Sequence, residues 1–205
     1  MSLKKNVIAQ FKRPSGIIGR LAGYIMANRP SNIDRNNWTV SLLEIKPEEH
    51  VLEIGYGPGV GLQKAVMQVE SGSVTGVDHS TIMFEQASAR NREAISSEKM
   101  KLIVGTIEDL LPIQKSYNKC FSANVFQFWD DPIGELSKLG EVLGPGALLA
   151  TTFMPRNSKP TKENTLRMAG KIEDSLEKAG FVNIRSITRS FCAVDAVCVL
   201  ANTEG

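Results

Sequence analysis

The feature that most constrains the fold of this chain is a glycine-rich segment that follows a short hydrophobic run. Residues 51–54 read VLEI, and glycines then occupy four alternate positions, at Gly55, Gly57, Gly59 and Gly61. Glycine has no Cβ atom, so such a segment can turn sharply and let a ligand approach the backbone closely. The helix predicted after it would offer unpaired N–H groups to an anion. The sequence therefore predicts a strand, a ligand-binding loop and a helix in succession.

Short apolar runs alternate with helical patterns from residue 50 onward. The predicted strands are residues 51–55, 73–78, 100–105, 118–124, 147–153, 181–188 and 191–202. Their branched and aromatic residues suit strands, and their alternation with helices indicates an α/β fold, a parallel sheet with helices on both faces. The last two runs are too close together for a helical crossover, so we expect them to pair as an antiparallel hairpin.

Three helix boundaries can be predicted from capping residues. Ser80 is a predicted N-cap, and Asp131 followed by Pro132 is typical of a cap with a proline in the first turn. Gly180 is the predicted end of the last helix, because glycine adopts the conformation with which many helices stop. These boundaries separate the helices from the strands on either side.

The N-terminal segment differs from the rest of the chain. Apolar residues recur at helical spacing over residues 14–28 and again over residues 38–45. We therefore expect one domain, in which residues 1–45 form a helical cap on a core of residues 46–205. The segment carries a single acidic residue within its first 35 positions, against seven basic ones at Lys4, Lys5, Lys12, Arg13, Arg20, Arg29 and Arg35. Only two aromatic residues, Phe11 and Tyr24, lie among these charges, which disfavours a stacking surface for single-stranded nucleic acid.

Composition bounds the class of protein. The chain has 205 residues, of which 42% are hydrophobic, enough for the core of one domain. No apolar run approaches the roughly 20 residues that cross a bilayer, so we predict no membrane span. The three cysteines, Cys120, Cys192 and Cys198, lack metal-site spacing. They predict neither a disulfide framework nor a zinc site, and they favour a reducing, cytoplasmic setting.

An acidic residue ends the second predicted strand. Asp78 comes 21 residues after Gly57, where its carboxylate could accept hydrogen bonds from both hydroxyls of a ribose, although a helix cap is the alternative. Dinucleotide-binding enzymes use GxGxxG, yet the third glycine falls on Val60, Leu62 or Lys64 in the three possible frames. This spacing argues against a nucleotide-dependent oxidoreductase, which is kept as an alternative.

The stretch of residues 51–153 resembles class I methyltransferases that use S-adenosylmethionine (SAM). Glu53 followed by Gly55, Gly57 and Gly59 is similar to the first motif of that family, an acidic residue and then GxGxG. The resemblance implies that Glu53 helps to hold the methionyl ammonium group of SAM. It also implies a doubly wound sheet of seven mostly parallel strands in the order 3-2-1-4-5-7-6, with strand 7 antiparallel.

Two further segments resemble the motifs that hold adenosine. Residues 76–87 are similar to the second motif, which implies Asp78 on the ribose and His79 and Met83 beside the adenine. Residues 104–112 resemble the third motif, in which an Asp-Ala pair usually follows the glycine. Here Thr106 and Ile107 replace that pair, which leaves the backbone N–H of Ile107 to meet the ring, and Glu108 or Asp109 could supply the side-chain contact instead.

The fourth motif is represented by residues 122–132. It predicts Asn124 beside the cofactor, and it places three large apolar side chains at the carboxyl end of a strand, where open parallel sheets bind their ligands. We expect some of these to line an acceptor pocket, with core packing as the alternative; they are Phe126, Phe128 and Trp129.

The predicted reaction is transfer of the sulfonium methyl of SAM to an N, O or C nucleophile of a small lipid-like or aromatic acceptor. Residues 1–45 are predicted to cover the cleft, with Tyr24 among the residues that contact the acceptor. No metal is expected, because Asp130 and Asp131 lack partner ligands and are better explained by capping. No residue is singled out as a general base. A non-catalytic module that binds SAM or nucleic acid is the alternative, since residues 106–107 depart from the third motif.

Overall fold

A computed structural model of the chain describes residues 28–113, 117–155, 161–191 and 194–205. The helices are α1 (Pro30–Ser41), α2 (Val60–Val66), α3 (Thr81–Arg90), α4 (Arg92–Ser96), α5 (Pro132–Val142) and α6 (Lys162–Lys178). The strands are β1 (His50–Ile54), β2 (Ser73–Asp78), β3 (Met100–Val104), β4 (Tyr117–Ala123), β5 (Leu143–Phe153), β6 (Val182–Phe191) and β7 (Val194–Asn202).

The strands form one seven-stranded sheet in the order β3-β2-β1-β4-β5-β7-β6. The first five strands run parallel, and β7 runs antiparallel to both β5 and β6. This arrangement confirms the predicted fold class, the strand order and the terminal hairpin. The carboxyl ends of the five parallel strands meet at one edge of the sheet, called here the carboxyl edge, which carries the glycine loop and the end of β2.

The predicted caps are confirmed. The Ser80 hydroxyl accepts a hydrogen bond from the N–H of Met83 at 3.3 Å, and Asp131 Oδ1 accepts one from the N–H of Gly134 at 3.1 Å. Gly180 follows α6 with φ +86°, a conformation that glycine adopts without steric cost. Each of these helices therefore begins or ends where its local sequence predicts.

One strand is longer than its sequence pattern predicts. β5 begins at Leu143, four residues before the apolar run at residue 147. Leu143 pairs with Tyr117 of β4, and the register then shifts before Lys119 pairs with Leu148. Such an irregularity lets a strand absorb extra residues while pairing continues. The extension lies at the end of the sheet opposite the carboxyl edge.

Successive residues of a strand point to opposite faces of a sheet, and two hydrophobic clusters follow from this alternation. Leu52 and Leu149 belong to the cluster that α5 and α6 cover, whereas Val51 and Phe121 belong to the cluster on the other face, under α1, α2 and α3. Both faces of the sheet are therefore buried, as expected of a mostly parallel sheet.

Helix α1 is the described part of the predicted N-terminal cap. It packs against α2 and against β4 and β5, and the Thr39 hydroxyl donates a hydrogen bond to Thr152 Oγ1 at 2.7 Å. The earlier predicted helix over residues 14–28 and the candidate residue Tyr24 lie outside the described residues, apart from residue 28. Within the described ranges, none of the helices has the length and apolar character needed to cross a bilayer.

Candidate cofactor site

Asp78 ties the glycine loop to the end of β2. Its Oδ2 accepts a hydrogen bond from the N–H of Gly57, and its Oδ1 accepts one from the N–H of Ser80, both at 2.9 Å. The side chain is only 9% exposed, and burial raises the pKa of its carboxyl group, while the two N–H donors act in the opposite direction. The carboxylate therefore fixes the loop conformation and lies at the predicted ribose position.

The three glycines of the predicted first motif differ in what surrounds them, although all have positive φ. A Cβ atom on Gly55 would lie 2.5 Å from Cγ2 of Val125, and one on Gly59 would lie 2.5 Å from Nδ2 of Asn91. A Cβ atom on Gly57 would meet nothing within 4 Å. Gly55 and Gly59 are therefore required by packing, whereas Gly57 faces open space at the carboxyl edge.

Glu53 is a fully buried carboxyl group at the end of β1, and its exposed fraction is 2%. The backbone N–H of Leu62 donates a hydrogen bond to it, and Oε1 lies where a Cβ atom on Gly61 would approach to 2.6 Å. Oε2 has no hydrogen-bond partner among the described residues. Burial, followed by the charge of Asp78, raises the pKa of Glu53 well above its ordinary value. A buried acceptor without a donor fits the predicted role of holding an ammonium group.

The face of α1 that turns inward is polar. Asn32, Arg35, Asn36 and Thr39 are all buried, and Arg35 donates a hydrogen bond to Asn32. The positive charge of Arg35 lowers the pKa of Glu53, against the larger effect of burial. The described part of the cap thus brings a buried cation to the carboxyl edge.

His79 and Met83 lie on either side of the Ser80 cap at the start of α3. The His79 side chain is 45% exposed, and its Nδ1 lies 3.9 Å from Asp78 Oδ1. Met83 is buried in the cluster under α1, α2 and α3. Their positions beside the adenine stay predictions, and burial indicates that Met83 also contributes to the core.

The segment that resembles the third motif continues into a short 3₁₀ helix from Ile107 to Ile113. The N–H of Thr106 donates to Asp109 Oδ2 at 2.8 Å, and its hydroxyl donates to Glu108 Oε2 at 2.6 Å. Lys138 donates a hydrogen bond to Glu108, and these two side-chain donors lower the pKa of Glu108 to about 2. Ile107 is buried in the cluster under α5 and α6. Both carboxylates of this segment are therefore already engaged by the protein.

Asn124 connects the ends of β4 and β5. Its Oδ1 accepts a hydrogen bond from the N–H of Met154, and its Nδ2 donates to the carbonyl oxygen of Met154, both at 2.8 Å. The residue has φ +60°, a conformation that asparagine adopts more readily than most residues. The side chain thus orients the loop after β4, and its contact with a cofactor stays a prediction.

The three aromatic residues after β4 have different surroundings. Phe126 is buried, and its ring lies edge-on to that of Trp129 with centroids 5.7 Å apart. Trp129 is half-buried and packs against the cluster under α5 and α6. Phe128 is half-buried and belongs to neither cluster. The two core clusters therefore account for the packing of Phe126 and Trp129 but not for that of Phe128.

Comparison with known proteins finds similarity to methyltransferases. The family described as "Methyltransferase domain" matches residues 51–146. The chain is 29% identical to the uncharacterized methyltransferase YdaC of Bacillus subtilis over 181 residues, 88% of this chain and 97% of that protein. These matches support a place for the chain in the class I SAM-dependent methyltransferase family.

Two solved methyltransferase structures have the same fold as this chain. The N-methyltransferase NodS from Bradyrhizobium japonicum, in complex with S-adenosylhomocysteine, has a TM-score of 0.66 at 16% identity over 87% of this chain and 90% of NodS. A SAM-dependent methyltransferase from Aquifex aeolicus has a TM-score of 0.67 at 19% identity over 85% of this chain and 94% of that chain. At these identities the likeness concerns the fold alone.

Three residues near the glycine loop or Glu53 were not identified by the sequence analysis as parts of the site. Asn91 Nδ2 donates to the carbonyl oxygen of Gly59 at 3.2 Å, and Arg90 Nε donates to that of Pro58 at 3.0 Å. Arg35, the third, was noted only for its charge. Polar residues near helix ends are too common to signal such contacts, and no motif includes them. In the described ranges, no group of three or more His, Cys, Asp or Glu residues could hold a metal ion.

Proposed function

We propose that this protein binds SAM at the carboxyl edge and transfers its methyl group to a small acceptor. The observation that carries the proposal is the proximity of three residues at the carboxyl edge: Asp78 accepts a hydrogen bond from the N–H of Gly57, and its charge acts on the buried Glu53. The glycine leaves room for a ligand, one carboxylate lies at the ribose position, and the other has an oxygen that lacks a donor. These features match a ligand with a ribose at one end and an ammonium group at the other.

Each residue has a definite task in this assignment. Oε2 of Glu53 accepts a hydrogen bond from the methionyl ammonium group, and the Gly57 loop adjoins the methionyl chain. A carboxylate offers about four acceptor positions, so Asp78 retains capacity for ribose hydroxyls besides its two N–H donors. His79, Met83, Thr106 and Ile107 adjoin the adenine. A sulfonium methyl group is already activated for transfer, so the protein has to orient the reactants and exclude water, effects that supply about 7–11 kcal/mol in well-aligned systems.

The proposed acceptor is a small, apolar or aromatic molecule that binds over the ends of β4 and β5. Phe128 supports this proposal, because its ring is half-buried without belonging to a core cluster. The cap of residues 1–45, with Tyr24, completes the chamber in this proposal, and α1 contributes to it through the hydrogen bond between Thr39 and Thr152. The basic residues of the cap suit an acceptor that carries an anionic group.

Calorimetric titration of the protein with SAM, S-adenosylhomocysteine and NAD tests the cofactor. We expect both adenosyl ligands to bind and NAD not to bind. Incubation with methyl-labelled SAM and a metabolite extract then tests transfer, and we expect label in a small molecule. Binding of NAD alone would support the oxidoreductase alternative. Binding of SAM without any labelled product, across extracts, would support a non-catalytic module.

Deletion of residues 1–27 tests the proposed cap, since α1, Glu53 and Asp78 remain. We expect the affinity for S-adenosylhomocysteine to change little, while transfer of label to the acceptor falls at least tenfold. Replacement of the basic residues in this segment by glutamine is the matched control, because it keeps the chain length and removes only the charge. Full transfer by the truncated protein would contradict the assignment of a cap.

A further inference from the structure

We infer that Glu53 is a neutral carboxylic acid while no cation occupies the site, and that it releases its proton to solvent when an ammonium group binds beside it. Cofactor binding and proton release would then be one coupled event. The inference rests on the proposed function, because the ammonium group is that of SAM or S-adenosylhomocysteine.

The surroundings of Glu53 disfavour a carboxylate in the empty site. The side chain is 2% exposed, so water cannot hydrate a negative charge there. It receives one backbone hydrogen bond, from Leu62, and its Oε2 receives none from the described residues. In the described ranges, no Lys, Arg or His side chain lies within 4.0 Å of the carboxyl group as an ion pair. An unpaired charge buried in this way is costly, and an acid avoids the cost by staying protonated.

The charges that face Glu53 come from several elements. Asp78, on the neighbouring strand β2, opposes ionisation of Glu53, and Arg35 of α1 favours it. Cys120 on β4 and Tyr56 in the glycine loop are also buried beside it, and burial is the largest of the causes that raise the pKa of both groups. Both are therefore neutral. Among these groups Arg35 alone favours the charged form, and its effect is smaller than that of burial.

The carboxyl groups of Asp78 and Glu53 accept different numbers of backbone hydrogen bonds, and this difference decides which of them holds the proton. Asp78 accepts two backbone hydrogen bonds, from Gly57 and Ser80, whereas Glu53 accepts one. Hydrogen bonds from N–H groups stabilise the charged form of an acid. When two neighbouring acids cannot both ionise, the one with more donors ionises first. Asp78 is therefore the carboxylate of the empty site, and Glu53 is the acid.

An ammonium group changes this balance at Oε2. It brings a positive charge and N–H donors to the one oxygen without a partner, so the ionised form of Glu53 becomes the stable one. The O–H bond of Glu53 breaks, its electron pair stays on the carboxylate, and the proton passes to the buffer. A ligand without the amino acid portion, such as 5′-methylthioadenosine, provides no ammonium group and should release no proton.

Titration calorimetry in buffers with different ionisation enthalpies tests the inference, because the slope of the observed enthalpy against buffer enthalpy counts the protons exchanged. At pH 7 we expect S-adenosylhomocysteine to release about one proton from the wild-type protein. We expect 5′-methylthioadenosine to release none. Binding of S-adenosylhomocysteine without proton release would overturn the inference and leave the proposed function standing, whereas absence of binding would overturn both.

Three variants identify the source of the proton. Glu53→Gln should bind S-adenosylhomocysteine more weakly and without proton release. Glu49→Gln is the matched control, because it makes the same change just before the start of β1, where Glu49 lies 3.6 Å from Lys119, and its proton release should equal that of the wild type. Release that persists in Glu53→Gln but disappears in Asp78→Asn would assign the proton to Asp78 and contradict the inference.

Infrared spectroscopy tests the same inference by a measurement that does not depend on the affinity for the ligand. A buried protonated carboxyl group gives a carbonyl band separate from those of carboxylates and amides. We expect this band in the ligand-free wild type, and we expect it to disappear when S-adenosylhomocysteine is added and to be missing from Glu53→Gln. A wild-type spectrum without the band would show that Glu53 is ionised from the start.

Discussion

The Asp78 carboxylate holds the glycine loop through the backbone of Gly57, whose N–H lies 2.9 Å from Oδ2. The two residues are 21 positions apart in the chain. Gly57 follows β1 and Asp78 ends β2, and these two strands pair directly in the sheet. One side chain therefore both shapes the loop and lies at the proposed ribose position. This relationship makes the loop conformation and the affinity for the cofactor depend on the same carboxylate.

Replacement of Asp78 by alanine should weaken binding of S-adenosylhomocysteine by about 2–4 kcal/mol, because hydrogen bonds to a charged acceptor are lost. The melting temperature should also fall, since the N–H groups of Gly57 and Ser80 lose their acceptor. Asp131→Ala is the matched control, because Asp131 caps the N–H of Gly134 at 3.1 Å and is exposed. Calorimetry and thermal unfolding measure both effects. Equal affinities of the two variants would contradict the ribose assignment.

Gly57→Ala should reduce the affinity for S-adenosylhomocysteine at least tenfold, because its methyl group enters the open space of the site. Gly146→Ala is the matched control: Gly57 has φ +50° and Gly146 has φ +68°, and a Cβ atom on either meets nothing within 4 Å. Both variants should lose about 1–2 kcal/mol of stability through the left-handed backbone. Gly72 is unsuitable as a control, because its Cβ atom would lie 2.1 Å from the carbonyl oxygen of Glu49. Similar affinities of the two variants would mean that the loop is only a turn.

The free energy of unfolding of the ligand-free protein should decrease as pH rises above about 4.5. Burial raises the pKa of Glu53 above that ordinary value, so the folded state binds more protons than the unfolded state between the two pKa values, and stability falls with pH there. Glu53→Gln removes this contribution, which amounts to about 1.4 kcal/mol for each unit of pKa difference. The pKa of Asp78 is also raised, and Asp78 adds to the pH dependence of stability in the wild type and in Glu53→Gln alike. Denaturant unfolding of the wild type and Glu53→Gln from about pH 5 to pH 8 measures the difference, and parallel curves would contradict the prediction.

The two half-buried aromatic residues after β4 should respond differently to truncation. Trp129→Ala should lower the free energy of unfolding by about 1–3 kcal/mol, because the indole packs on Phe126 and the adjoining cluster. Phe128→Ala should have a small effect on stability and should reduce methyl transfer, with unchanged affinity for S-adenosylhomocysteine. Denaturant unfolding, titration and the labelled-extract assay distinguish them. A stability loss for Phe128→Ala as large as that for Trp129→Ala would assign Phe128 to the core.

The sequence by itself determined the succession of strands and helices, the terminal hairpin and the caps at Ser80, Asp131 and Gly180. These features depend on local rules, namely the spacing of apolar residues and the few residue types that suit a cap. The order of the seven strands followed from resemblance to a family rather than from residue pattern, because a pattern identifies strands and not their neighbours. The beginning of β5 was predicted four residues late, since its pairing with Tyr117 depends on another strand.

Only the tertiary structure decided which contacts each residue of the candidate site makes. The sequence grouped Gly55, Gly57 and Gly59 as one loop, and packing against Val125 and Asn91 separates the outer two from Gly57. These contacts join segments 70 and 32 positions apart, and they exist because parallel strands bring distant chain ends to one edge. Local periodicity carries no information about such distances, so the unpartnered oxygen of Glu53 could be found only after its neighbours were in place.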